Sequence, residues 1–239
     1  MRIKNFNPIF CWPGKFLPAS VLLLSLGFCA PAAGQTTTLK DAYRNAFLIG
    51  TAVNPAITSG RDSASRDIVL QHFNSITVEN VMKAALINPQ PGVFNYGPAD
   101  EYVAFGEKNK MFIIGHTLVW HNQCPPWFFT HADGKPNTSA EQIERMRAHI
   151  EAVAGRYVGR IHAWDVVNEV MDENGGYRPT TWVNAVGNGD TLVKYAFLFA
   201  ARYAPGAELY YNDFNAWRPS KRDGIIRMIK MLQQQGIRI

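Results

Sequence analysis

Segments of strand-like and helix-like character alternate along the sequence from about residue 40 onward, which predicts an α/β protein with a parallel sheet and helices outside it. Two further observations narrow the architecture. No G-x-G-x-x-G follows the first strand-like segment, which argues against an open, dinucleotide-binding sheet. Clusters of polar residues fall at the C-terminal ends of the strand-like segments, where a closed barrel keeps its functional side chains. The prediction is a (β/α)8 TIM barrel, incomplete at about five βα units plus the start of a sixth strand. About 205 residues follow a leader, whereas a full barrel takes roughly 250.

The strands are expected at "FLIGTAV" (Phe47–Val53), "SITVEN" (Ser75–Asn80), "MFIIGHTLVW" (Met111–Trp120), "RIHAWDVVNE" (Arg160–Glu169) and "AELYYND" (Ala207–Asp213). Each is rich in β-branched or aromatic residues and bounded by turn formers. Three helices stand out. In Thr138–Tyr157, Ser139 and Gln142 form a capping-box pattern, and Ile143, Met146, Ile150, Val153 and Tyr157 recur every three or four residues, giving one apolar face. A second helix runs from Asp190, read as its N-cap, to Tyr203, ahead of Ala204-Pro205-Gly206. The third, "KRDGIIRMIKMLQQQ", stops at Gly236, and "GIRI" then begins the sixth strand. Gly187-Asn188-Gly189 precedes a helix but follows no strand, and reads as a loop.

Residues 1–34 read as a secretory signal peptide. Arg2, Lys4 and Lys15 precede the apolar run Val21–Phe28, and "APAAGQ" supplies small residues for cleavage near Ala33 or Gly34. The run is too short to span a bilayer, so a secreted or periplasmic product without a membrane anchor is expected. The leader carries three basic and no acidic residues; without it the formal net charge falls from +5 to +2. No basic stripe remains for nucleic acid. Cys11 and Cys29 leave with the leader. Cys124 then stands alone as a buried thiol, and the fold rests on its core.

Four clusters could carry chemistry: Glu79, Asn80 and Lys83; His116, Trp120, His121 and Gln123; Asn168 and Glu169; and Asn212 to Asn215. A lone Asn-Glu after a strand is usually a cap or a surface loop. Four clusters ending successive strands of a barrel would meet around one opening. Carboxylates, amides, a lysine and histidines suit a ligand with many hydroxyls, and a tryptophan offers a face for a sugar ring. Glycoside hydrolysis needs two carboxyl groups flanking the scissile bond, one of them kept protonated, and the sequence supplies Glu169 as one candidate for the pair.

"NSITVENVMK", "GHTLVWHNQ", "WDVVNE" and "YYNDFN", in this order over nearly all of residues 39–239, resemble the glycoside hydrolase family 10 endo-β-1,4-xylanases. The resemblance implies a (β/α)8 barrel that hydrolyses xylan with retention, needing no cofactor and no metal. It implies that Glu169 is the general acid/base and that Asn168 bonds the sugar 2-hydroxyl or the nucleophile. Glu79, Asn80 and Lys83 would hold sugar on the non-reducing side, and His116, Trp120 and Gln123 would line the ring nearest the chemistry. Asn212, Phe214 and Asn215 would face the leaving-group side; Phe214 stands where the family often has tyrosine. The nucleophile glutamate, which the family places after its seventh strand, is expected to be absent from these 239 residues. Asp165 reads as a structural hydrogen-bonder rather than a substitute.

Simpler readings apply elsewhere. His116 and His121 lie five apart, on opposite faces of a regular strand, which disfavours metal binding. Trp127, Phe128 and Phe129 pack beneath a loop as readily as they meet substrate; Trp164 reads as core, and Trp182 and Trp217 are undecided. The expected activity is endo-hydrolysis of xylan by a monomer, with the fragment alone inactive. The alternatives are a non-catalytic xylo-oligosaccharide-binding fragment and a related barrel cellulase.

Overall fold

The computed structural model describes residues 37–239; the predicted signal peptide, and residues 35 and 36 of the predicted catalytic domain, lie outside the described residues. Five strands form one sheet: β1 (Gly50–Val53), β2 (Ser75–Val78), β3 (Phe112–Val119), β4 (Ala163–Asn168) and β5 (Glu208–Asn212). All neighbours are parallel, in the order β1-β2-β3-β4-β5. That order decides between the two architectures. A doubly wound sheet reverses direction at a switch point, whereas these strands advance in one direction, as a barrel's do. The chain forms part of an α/β barrel.

A long helix follows each strand: α1 (Ser63–His72), α2 (Gly97–Lys108), α3 (Ser139–Arg156), α4 (Gly189–Tyr203) and α5 (Pro219–Gln234). Shorter helices at Pro55–Ser59, Ala84–Ile87 and Thr181–Val186 occupy βα loops. Neither α1 nor α2 stands out in the sequence. Only Val69 of α1 is buried, so no apolar stripe forms; α2 opens on Gly97-Pro98 without a side-chain cap, a dipeptide that reads as a turn.

Helix starts differ from expectation by one or two residues. The capping box of α3 is Thr138 with Glu141, not Ser139 with Gln142. Ser139 is already helical and donates to the Val186 carbonyl (2.7 Å), while Gln142 is fully buried and accepts from Asn137. The N-cap of α4 is Asn188, whose Oδ1 accepts from Thr191 N–H (3.0 Å); Asp190 instead accepts from the Tyr177 hydroxyl (2.6 Å). The Gly187–Gly189 stretch therefore ends one helix and starts the next. Residues 237–239 form no strand: the N–H of Ile237 turns back to the Leu232 carbonyl (3.0 Å), closing the end of α5.

β4 is buried along its whole length, as expected of a parallel strand covered on both faces. Trp164 pairs in register with Gly115 of β3. A Cβ at Gly115 would lie 2.3 Å from the indole, so a glycine there is the condition for seating Trp164, 1% exposed. On the outer face, Met146, Ile150 and Val153 of α3 and Leu192, Val193 and Phe197 of α4 are fully buried. The opposite face carries Thr77, Ile114, His116, Asp165 and Tyr210, which line a hollow of about 440 Å³ together with Glu79 and Asn212.

Candidate active site

Glu169 is the first residue beyond β4, and its backbone turns into the left-handed region (φ 57°), which few non-glycine residues adopt. Its N–H donates to the Asn212 carbonyl at the end of β5 (2.9 Å). The carboxylate accepts from Trp120 Nε1 (3.0 Å), the one hydrogen-bond donor it has among the described residues. The buried Asn168 bridges the same two neighbours. With its amide nitrogen toward the Asn212 carbonyl (3.0 Å), its oxygen accepts from Trp120 Nε1 (3.2 Å). The run of apolar residues in "WDVVNE" thus buries β4 up to Asn168, and the turn at Glu169 carries the carboxylate out of the core.

The ends of β2 and β3 supply the flanks. Lys83 is 8% exposed; its ammonium donates to Asn80 Oδ1 (2.9 Å) and sits 4.7 Å from the centre of the Trp120 ring. Burial holds its pKa below the usual lysine value, opposed by the negative charges of Glu79 and Glu169. His116 Nδ1 meets Asp165 Oδ2 at 2.8 Å, and Thr117 donates to the Asp165 carbonyl (2.8 Å). Asp165 thus fixes a ring on the floor of the hollow, in line with the reading of it as a structural hydrogen-bonder. Gln123 also has positive φ (48°) and its carbonyl accepts from Ala85 N–H (2.7 Å), tying the two loops together.

The fourth cluster divides. Asn212 faces Asn168 and Glu169, but Phe214 and Asn215 belong to a neighbouring network. There the fully buried Lys221 of α5 pairs with Asp213 (2.8 Å), whose side chain is 1% exposed, and with Glu173 (3.3 Å). Its ammonium lies 3.9 Å from the centre of the Phe214 ring. Asn215, at φ 55°, donates to Glu173 (3.5 Å). Tyr211 donates to Asp213 and accepts from Met171 N–H (3.1 Å); burial, then the hydrogen bond to Asp213, push its phenol pKa up, so it stays protonated. Close backbone approach makes this network possible. Gly175 (φ 82°) lies against Gly224 of α5, where a Cβ would come within 2.4 Å of the Gly175 carbonyl oxygen.

Four groups near the site escape the sequence reading or enter it only in another role. His121, grouped there with His116, Trp120 and Gln123 but given no contact to sugar, sits among Arg178, Glu169 and Asp213, and burial foremost holds its pKa below the usual imidazole value. Arg178, Glu173 and Lys221 sit in "ENGGYRP" and "RPSKR", which resemble ordinary turn and surface sequence. The undecided tryptophans separate: Trp182 is core and donates to the Trp120 carbonyl (3.0 Å), while Trp217 is 74% exposed. Trp127 packs on Phe128 beneath its loop. Cys124 is partly buried, and burial pushes its thiol up to about 12, which disarms it as a nucleophile.

A carboxylate held by an indole, with an amide beside it and a lysine, an asparagine and a histidine at the ends of neighbouring strands, can hold hydroxylated rings and exchange a proton with them. The profile of Glycosyl hydrolase family 10 matches residues 38–239. Endo-1,4-beta-xylanase A of Xylanibacter ruminicola is 40% identical over 217 residues, covering 91% of this chain and 58% of the relative. Beta-1,4-xylanase of Dictyoglomus thermophilum is 38% identical, with coverages of 92% and 60%. Among solved structures, an endoxylanase from a sugarcane soil metagenome superposes with a TM-score of 0.80 at 40% identity, covering 84% of this chain and 58% of its own. An intracellular xylanase from Thermoanaerobacterium saccharolyticum also gives 0.80, at 32% identity and coverages of 86% and 65%. The chain therefore spans about three fifths of these relatives.

Proposed function

This chain belongs to glycosyl hydrolase family 10, and from that premise we propose that it supplies the proton-transfer side of a secreted, retaining endo-β-1,4-xylanase. The observation that carries the reading is the turn at Glu169, which brings a carboxyl group, hydrogen-bonded by Trp120, out beyond β4 beside Asn212, a residue that lines the hollow. Glu169 protonates the glycosidic oxygen as the bond to the anomeric carbon breaks, while a second carboxylate attacks that carbon from the opposite face. Water then displaces the glycosyl-enzyme ester as Glu169 takes its proton. In this reading the second carboxylate is a glutamate after the seventh strand of the family's barrel; Asp165 is already engaged by His116.

In this reading Glu79, Asn80 and Lys83 hold sugar on the non-reducing side, and His116, Trp120 and Gln123 line the ring beside the cleavage point. Asn168 addresses that ring's 2-hydroxyl, and Asn212, Phe214 and Asn215 serve the leaving-group side. Export rests on the leader alone, since the family includes an intracellular xylanase. The test is release of reducing sugar from xylan and from cellulose by the protein at its full encoded length. Xylan is expected to be cut in preference, and E169Q to lose at least ~100-fold. Undiminished xylan hydrolysis by E169Q would remove Glu169 from the mechanism.

A second reading, a xylo-oligosaccharide-binding fragment, is favoured by the lack of any other carboxylate bonded into the Glu169 network among the described residues. Calorimetry of residues 37–239 with xylohexaose separates the two: heat of binding without product supports the fragment.

A further inference from the structure

The left-handed backbone at Glu169 (φ 57°) costs on the order of 1–3 kcal/mol and persists only where its surroundings hold it. One residue does most of that holding. The backbone N–H of Arg178 donates to the Val170 carbonyl (2.8 Å), its Nε to the Glu169 carbonyl (3.2 Å) and its Nη2 to the Met171 carbonyl (3.0 Å). Three successive carbonyls, 169 to 171, are thus capped by a single side chain and its own amide. Among the described residues Arg178 forms no salt bridge within 4.0 Å, so its guanidinium is committed to the backbone rather than to a carboxylate. Its guanidinium carbon lies over the Phe214 ring, 5.5 Å from the ring centre.

We propose that Arg178 is the positioning residue of this site: it holds the turn after β4 so that the Glu169 carboxyl points at the glycosidic oxygen. The inference rests on the proton-transfer reading of Glu169. Only a planar fork can reach both the 169 and 171 carbonyls; an ammonium offers one compact charge and cannot reproduce the pair. The function at stake is aim. A misplacement of about 1 Å at a reacting group costs ~100-fold in rate.

The test compares R178M and R178K with the parent and with E169Q, at full encoded length, on two substrates. Xylo-oligosaccharide has a sugar leaving group that must be protonated; a dinitrophenyl xylobioside has one that departs unaided. R178M should lose ~100-fold in kcat/KM on the oligosaccharide and less than about fivefold in kcat/KM on the activated glycoside. The ratio kcat/KM reads the bond-breaking step and leaves out the later water step, which needs Glu169 with either substrate. R178K should fall between R178M and the parent. General damage to the fold would slow both substrates alike.

If E169Q shows no such split, the reading of Glu169 fails, whatever Arg178 does. If E169Q shows it and R178M leaves both rates unchanged or lowers both equally, the assignment of Arg178 fails. A spectroscopic arm uses the 239-residue chain itself. The Trp120 indole proton, identified by its loss in W120F, should shift as Glu169 titrates, and R178M should at least halve the amplitude of that shift. A parent-like titration in R178M overturns the proposal.

Discussion

Three of the four non-glycine residues with positive φ among the described residues are Gln123, Glu169 and Asn215, and each lies in a loop at the C-terminal end of a strand. Strain of this kind gathers where a side chain must be aimed rather than merely packed. A different single residue links stability to pH on the acid side. His149 of α3 is 2% exposed, and burial drives its pKa down to about 4; the Leu118 backbone opposes this but does not reach hydrogen-bonding geometry. Between about pH 6.5 and 4 the unfolded chain therefore binds the proton that the native imidazole refuses. The native state's advantage is complete above 6.5 and shrinks by about 3 kcal/mol as pH falls to 4. Urea midpoints of the parent should drop across this window more steeply than those of H149L; parallel curves would show that the buried imidazole titrates normally.

At the scale of elements, glycine placement decides what touches. Alanine in place of a helical glycine ordinarily stabilises by about 1 kcal/mol. G224A should do the reverse, because its Cβ would meet backbone of Gly175 at 2.4 to 2.9 Å, an overpacking worth about 1–3 kcal/mol. Thermal melting checks the sign, and a raised melting temperature would contradict the close approach. The strands were legible because buried parallel strands are continuous apolar runs, and α3, α4 and α5 because they bury a stripe at helical spacing. The helices α1 and α2 were not, since the first buries one side chain and the second begins on a turn-like dipeptide. The site was legible where its residues end strands, as Lys83, Trp120 and Glu169 nearly do. Arg178 and Lys221 were not, because their partners are backbone carbonyls, or carboxylates such as Glu173, 48 residues from Lys221.

At the scale of the molecule, β4 is covered along its whole length while β1 and β5, the borders of the described sheet, are largely open. The polar clusters follow that gradient: the fully covered β4 leads into Asn168 and Glu169, and the neighbouring strands lead into the remaining polar groups. Among the described residues no helix is long and apolar enough to cross a membrane. The central claim is that this architecture brings one carboxyl group to the oxygen between two sugars. The most direct measurement is a crystal structure of E169Q, at full encoded length, with a xylo-oligosaccharide spanning the cleavage point. The side chain at position 169 should lie within about 3 Å of the inter-sugar oxygen, with Trp120 still at its other edge. A side chain turned away from that oxygen, with the ligand in place, would contradict the account.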